Sequence, residues 1–278
     1  MIQGKFATSD GVGLHFVERG TGSPLLLVHG WCQTSEQFSH QVNALSETHR
    51  VIAYDHRGHG FSDRPDHGYR VQRLAADLRE FLIGRQLQDV TVLGHSMGCS
   101  VIWAHLDMFG PDRLSRLILV DEPPCLTLNE QWGDDEKAAT GALFTPDGAM
   151  TLCNSLAHDE DGTVRDGLMT AMLSPQCPDD IRTWMMACNR RMNQRHAAEL
   201  MRNHANLDWR DVISRIRLPT LVIGAHASLA PATCMPWVAS QIPGSRLEMF
   251  AADEGGSHFM FAENPEKFNR LVRQFLRS

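Results

Sequence analysis

The sequence predicts an α/β architecture: a mostly parallel sheet with helices on both faces and a helical cap inserted late in the chain. Three observations predict it. Short continuous apolar runs alternate with amphipathic helical stretches, as they do when parallel strands are buried on both faces. The alternation breaks once, from Cys125 to about Arg217, where the patterns are helical, and then resumes. A serine between glycines, Gly94-His95-Ser96-Met97-Gly98, stands where a strand passes into a helix.

In chain order, Lys5–Thr8 and Leu14–Arg19 flank the turn signal Ser9-Asp10-Gly11 and read as a hairpin. Leu25–His29 is a continuous apolar strand that ends in His29-Gly30-Trp31-Cys32. Gln33 to Leu45 has helical spacing through Phe38, Val42 and Leu45. Val51–Asp55 is the next strand, followed by the loop His56-Arg57-Gly58-His59-Gly60-Phe61-Ser62-Asp63 and a helix from Gln72 to Ile83. The strand Val90–Leu93 leads into the glycine-flanked serine and a helix that Gly110-Pro111 stops. Leu117–Val120 is a strand ending at Asp121-Glu122-Pro123-Pro124. After the helical stretch come the strand Thr220–Gly224, a helix around Met235–Gln241, the strand Arg246–Phe250, the loop Gly255-Gly256-Ser257-His258 and a helix over Glu266–Leu276. The expected division is residues 1–124 and 218–278 as one core and 125–217 as the cap, whose methionines and tryptophans either line an apolar pocket or form the cap's own core.

Composition bounds the function. The 278 residues, 42% hydrophobic and 21% charged, suffice for one large core with an insertion. A net charge of -7 with no basic block argues against a nucleic-acid partner. The apolar runs are too short for a membrane, and the N-terminus lacks a signal-like apolar region, so a cytoplasmic protein is expected. Seven widely spaced cysteines without a C-x-x-C pair indicate reduced, buried thiols rather than disulfides or zinc. The 14 histidines include no H-E-x-x-H, so neither metal nor cofactor is expected. Oligomeric state, including a homodimer, is left open.

The serine carries the chemistry. Gly94 and Gly98 give room for a sharp turn, so the Ser96 hydroxyl projects above the sheet, and the Met97 N–H at the helix start can hold an oxyanion. A serine needs a base, and His258 is the best placed, late in the chain and in a glycine-rich loop. His95, beside Ser96, reads as structural because neighbouring side chains in a strained turn diverge. His29, Asp55, Ser96, Asp121, Gly224 and His258 all fall at or just past carboxyl ends of strands, where such sheets bind ligands.

These features together, with His29-Gly30-Trp31, Arg57-Gly58-His59-Gly60-Phe61-Ser62 and Ser257-His258-Phe259, resemble the α/β-hydrolase superfamily over essentially the whole chain. The resemblance implies that Trp31 supplies a second oxyanion N–H beside Met97. It also exposes a departure: after Thr220–Gly224, where the family usually has an aspartate, stands Ala225-His226-Ala227-Ser228-Leu229-Ala230-Pro231. A minority of the superfamily places the acid after the preceding core strand, which here offers Asp121, with Glu122 as the alternative. The expectation is a hydrolase of small, apolar esters or lactones with Ser96, His258 and Asp121 as its triad. Two other readings are a cofactor-independent dioxygenase acting on a quinolone-like ring, whose His–acid arrangement and Gly-Trp-Cys segment Gly30-Trp31-Cys32 resembles, and a non-catalytic ligand binder on the same fold.

Overall fold

The computed structural model describes residues 1–277. The N-terminal hairpin is β1 (Ile2–Ala7) and β2 (Gly13–Arg19), antiparallel, with Thr8 accepting from Val12 and Gly11 across the turn. Six further strands follow: β3 (Pro24–Val28), β4 (Arg50–Tyr54), β5 (Val90–His95), β6 (Leu114–Val120), β7 (Thr220–Ala225) and β8 (Arg246–Phe250). They form one sheet in the order β1-β2-β4-β3-β5-β6-β7-β8. β2 pairs antiparallel with β4, and every pair from β4 to β8 is parallel.

The apolar runs are continuous because successive side chains go to opposite faces and both faces are covered. Leu26, Val28, Ile52, Val92, Leu119 and Val222 pack on one face, against α2 (Val71–Gly84), α3 (Met97–Phe109) and α10 (Cys234–Gln241). Leu25, Leu27, Val51, Leu93, Val120 and Ile223 pack on the other, against α1 (Ser39–Leu45) and α12 (Pro265–Arg277). The chain leaves β3 for β4 on one side and returns to β5 on the other. The order therefore reverses between β3 and β5, and a crevice opens at their carboxyl ends.

Between β6 and β7 lie six helices: α4 (Asp134–Thr140), α5 (Pro146–Ala157), α6 (Thr163–Met172), α7 (Asp179–Asn189), α8 (Gln194–Ala205) and α9 (Arg210–Ile213). Two isolated bridges, Cys125 with Asp208 and Thr127 with Phe144, are the β pairing among the described residues there. Thr145 caps α5 through the Gly148 N–H, with Pro146 at the first helical position. Buried Asp159 holds the start of α6 by accepting from the Val164 and Arg165 N–H groups and the Arg165 guanidinium.

One expected element differs. The helix read over Gln33–Leu45 is a 3-10 turn, Ser35–Phe38, followed by α1. Thr34 caps the turn through the Glu36 N–H, and the Ser35 N–H donates to Asp55 at 2.6 Å, which holds this backbone in the loop. All seven cysteines are buried and free. Among the described residues no helix is long and apolar enough to cross a membrane.

Candidate active site

β5 passes into α3 through Ser96, whose φ of 53° and ψ of -131° are a strained combination for a residue with a side chain. Two glycines make the turn feasible. A Cβ on Gly98 would lie 2.2 Å from the Val28 carbonyl oxygen, and one on Gly94 2.7 Å from the Gly98 carbonyl carbon. Ser96 is tied to β6 by donating from its N–H to Val120 O at 2.9 Å.

Trp31 follows β3. Gly30 before it packs so close that a Cβ there would sit 3.0 Å from Ser96 Cβ. The main-chain N–H groups of Trp31 and Met97 have no hydrogen-bond partner among the described residues; for Met97 this follows from its place at the start of α3. The Trp31 indole donates to Ala197 O of α8 at 2.9 Å, joining this loop to the insertion. The next residue, Cys32, donates its N–H to His59 Nε2 at 3.2 Å.

His258 sits between the Gly255-Gly256 turn and the short helix α11 (Met260–Glu263). Its main chain is held on both sides: its N–H donates to Met172 O at 3.1 Å, and its carbonyl accepts from His95 Nε2 at 2.9 Å. His95 is thus a buried strut beneath the elbow, as its position beside Ser96 suggested. Burial pushes its imidazole well below the ordinary value. The His258 ring places Nδ1 2.6 Å from Asp121 Oδ2, which leaves Nε2 on the opposite side of the ring. His258 and Ser96 line the same cavity.

Asp121 follows β6 at a positive φ of 52° and is buried. Its Oδ2 also accepts from the Ser228 hydroxyl. Ser228 belongs to the loop after β7 that lacks a carboxylate, so that loop contributes a donor to the acid on β6. Glu122 turns elsewhere. Its Oε1 accepts from Ser100 Oγ at 3.1 Å and lies 3.1 Å from His204 Nε2 of α8. Of the two acids, Asp121 meets His258. Ser228, His204 and the brace from His59 to Cys32 had no signal in the sequence, since each depends on contacts between distant segments.

The cavity has a volume of ≈ 50 Å³ open to the centres of water-sized spheres. Leu143, Phe144, Leu152, Leu168, Met172 and Met201 wall it from the insertion. The tryptophans of the insertion are elsewhere. Trp132 lies under the Arg210 guanidinium, Trp184 packs on the opposite core, and Trp209 packs near Trp103. The insertion's part of the pocket wall is therefore mostly aliphatic, with two methionines, one phenylalanine and His204, while Trp31 lines it from the core side.

Buried polar bonds brace the core side. Asp55 accepts from the Ser35 and Phe61 N–H groups and from the His15 ring. Arg57 makes a two-point ion pair with Asp77 of α2, at 2.6 and 2.7 Å. Burial pushes His29, His56 and His59 below the ordinary imidazole range, His59 to about 3 with His29 beside it. Among the described residues, no group of three or more His, Cys, Asp or Glu side chains is arranged to hold a metal.

Residues 23–265 match the family model described as alpha/beta hydrolase fold. A non-heme chloroperoxidase of Kitasatospora aureofaciens is 26% identical, over 97% of this chain and 98% of its own. An esterase from Exiguobacterium antarcticum superposes with a TM-score of 0.89 at 26% identity over the whole of both chains. An enol-lactonase from Burkholderia xenovorans LB400 shares the fold, with a TM-score of 0.83 at 20% identity over 99% of this chain and all of its own.

Proposed function

The chain belongs to the α/β-hydrolase fold family, and from that premise we propose that it is a serine hydrolase of small, apolar carboxylic esters or lactones. The observation that carries the reading is the 2.6 Å bond from Asp121 to His258 Nδ1, in a cavity that Ser96 also lines. Residues 125–217 act as the cap and supply most of the apolar wall.

In this reading Ser96 Oγ attacks the carbonyl carbon and His258 Nε2 takes its proton. Asp121 fixes the tautomer and stabilises the imidazolium. The Trp31 and Met97 N–H groups receive the developing oxyanion; each such donor is worth about 3 kcal/mol. The C–O bond to the leaving group then breaks as His258 returns the proton to the departing alkoxide. Water, deprotonated by the same imidazole, attacks the acyl-enzyme and releases the acid and Ser96. Esterases and an enol-lactonase among the structural neighbours support this chemistry, and the small cavity supports a small substrate.

Turnover of short-chain aryl esters and lactones tests it. Ser96→Ala is expected to lower kcat by about 10⁶-fold and to abolish labelling by a fluorophosphonate. Retention of full turnover would overturn the reading. The His258–Asp121 pair also suits proton abstraction from a hydroxylated heteroaromatic ring. Oxygen uptake that survives Ser96→Ala and is lost in His258→Ala would put a cofactor-independent oxygenase in its place.

A further inference from the structure

We propose that His59 is a positioning residue for the oxyanion donor on Trp31: its ring holds the Cys32 N–H and so fixes the turn that carries the Trp31 N–H. Cys32 donates to His59 Nε2 at 3.2 Å, and His59 Nδ1 lies 2.9 Å from Arg57 O. A carbonyl only accepts, so Nδ1 carries the proton, and Nε2 of the neutral ring presents its lone pair to Cys32. Burial keeps the ring neutral. Arg57 is itself fixed by ion pairs to Asp77 of α2 and to Asp10. A continuous brace therefore runs from α2 through Arg57 and His59 to the loop packed against Ser96.

The loop needs a brace at this point. Cys32 has a φ of 55°, a left-handed conformation that a residue with a side chain keeps only where its surroundings enforce it. Cys32 is buried, so without His59 its N–H would be left without a partner away from water. Each peptide unit is a rigid plane. The Gly30–Trp31 plane, whose N–H is the donor, accepts at its oxygen from His29 Nδ1 at 2.8 Å and from the Gln33 N–H at 3.3 Å. His59 holds the plane that follows. The two meet at the Trp31 Cα, whose indole is tied to Ala197 O. With both planes held, the direction of the donor is set before any oxyanion forms, which is what makes such donors effective. That this N–H meets an oxyanion rests on the serine-hydrolase reading; that His59 fixes the turn does not.

Two substitutions separate the ring nitrogens. An asparagine side chain reproduces Nδ1 and its bond to Arg57 but falls short of Cys32; a glutamine side chain places an oxygen where Nε2 stood. His59→Asn is expected to lower kcat on a short aryl ester about tenfold to a hundredfold, with KM within about twofold, and His59→Gln to recover most of the loss. Amide exchange at Cys32 should quicken about tenfold or more in His59→Asn and stay slow in His59→Gln. If His59→Asn does not fold, the unsubstituted protein supplies the measurement: long-range proton–nitrogen correlations should show His59 protonated at Nδ1 alone. The proposal is overturned if Nε2 carries a proton, if the two variants lose rate equally, or if His59→Asn leaves kcat and Cys32 exchange unchanged. Failure of the hydrolase reading is seen separately, as absence of turnover and of fluorophosphonate labelling in the unsubstituted protein; the His59 tautomer and the Cys32 exchange then decide.

Discussion

Two acid–imidazole pairs look into one cavity from successive acids after β6, and they are built differently. Asp121 and His258 approach to 2.6 Å, Ser228 adds a donor to the same carboxylate oxygen, and the His258 main chain is held on both sides. Glu122 and His204 stand at 3.1 Å, on the insertion side, with one ring nitrogen unmatched. A pair with its Asp121-facing nitrogen fully engaged and its backbone fixed is preorganised for one repeated proton transfer. A pair with a longer contact and an unmatched, inaccessible ring nitrogen lacks that preorganisation. Proximity to the cavity is shared; the degree of satisfaction separates the roles.

The comparison breaks first at the acids themselves. Asp121→Asn should lower kcat about 10⁴-fold by leaving His258 in the wrong tautomer. Glu122→Gln should cost at most about a hundredfold, chiefly in KM. Steady-state kinetics on one aryl ester reads both, and equal losses would mean that the two pairs share one task.

The rigidity of the core side is sharpened by acid titration. Burial alone would raise the Asp55 carboxyl, but the His15 hydrogen bond, nearby His29 and the Phe61 and Ser35 N–H groups outweigh it and hold it at about 2. A depressed carboxyl stabilises the fold wherever the unfolded chain would already be ionised, above about pH 4, and loses that contribution as pH falls from 4 to 2. The contribution is about 2 kcal/mol. Urea midpoints for Asp55→Asn should therefore fall less steeply across that window than those of the unsubstituted protein; identical slopes would remove Asp55 from the bracing of the Trp31 loop.

The smallest effect tests the vacated loop after β7. Ser228→Ala removes one donor from Asp121 and should reduce kcat about tenfold, measured in single turnover. An unchanged rate would mean that His258 alone orients the acid.

Much of this was legible in the sequence, and for physical reasons. Strands buried on both faces produce runs such as Leu25–Val28, and an elbow that tolerates only hydrogen at Gly94 and Gly98 leaves its glycines in view. The missing carboxylate after β7 pointed back to Asp121. What separates Asp121 from Glu122 is the direction each side chain takes after β6, which neighbouring letters do not encode. His204 looks like any polar residue near a helix end, and its meaning comes from Glu122, 82 positions away. The insertion's tryptophans were equally ambiguous, since a ring that lines a cavity and one that fills a core have the same helical spacing. The helix at Gln33 yielded to Thr34 and Asp55, whose side chains claim the backbone N–H groups of Glu36 and Ser35.

The contact of Gly98 with the end of β3 has a consequence for where variation is admissible. The serine turn and the Trp31 loop touch with no spare layer of atoms between them: hydrogen fits against Val28 O, and a methyl group does not. A joint without play transmits every displacement, so neither partner can be retuned alone. The freedom to fit a new molecule is left to the opposite wall, where Leu143, Phe144 and Leu152 can change size without moving the joint.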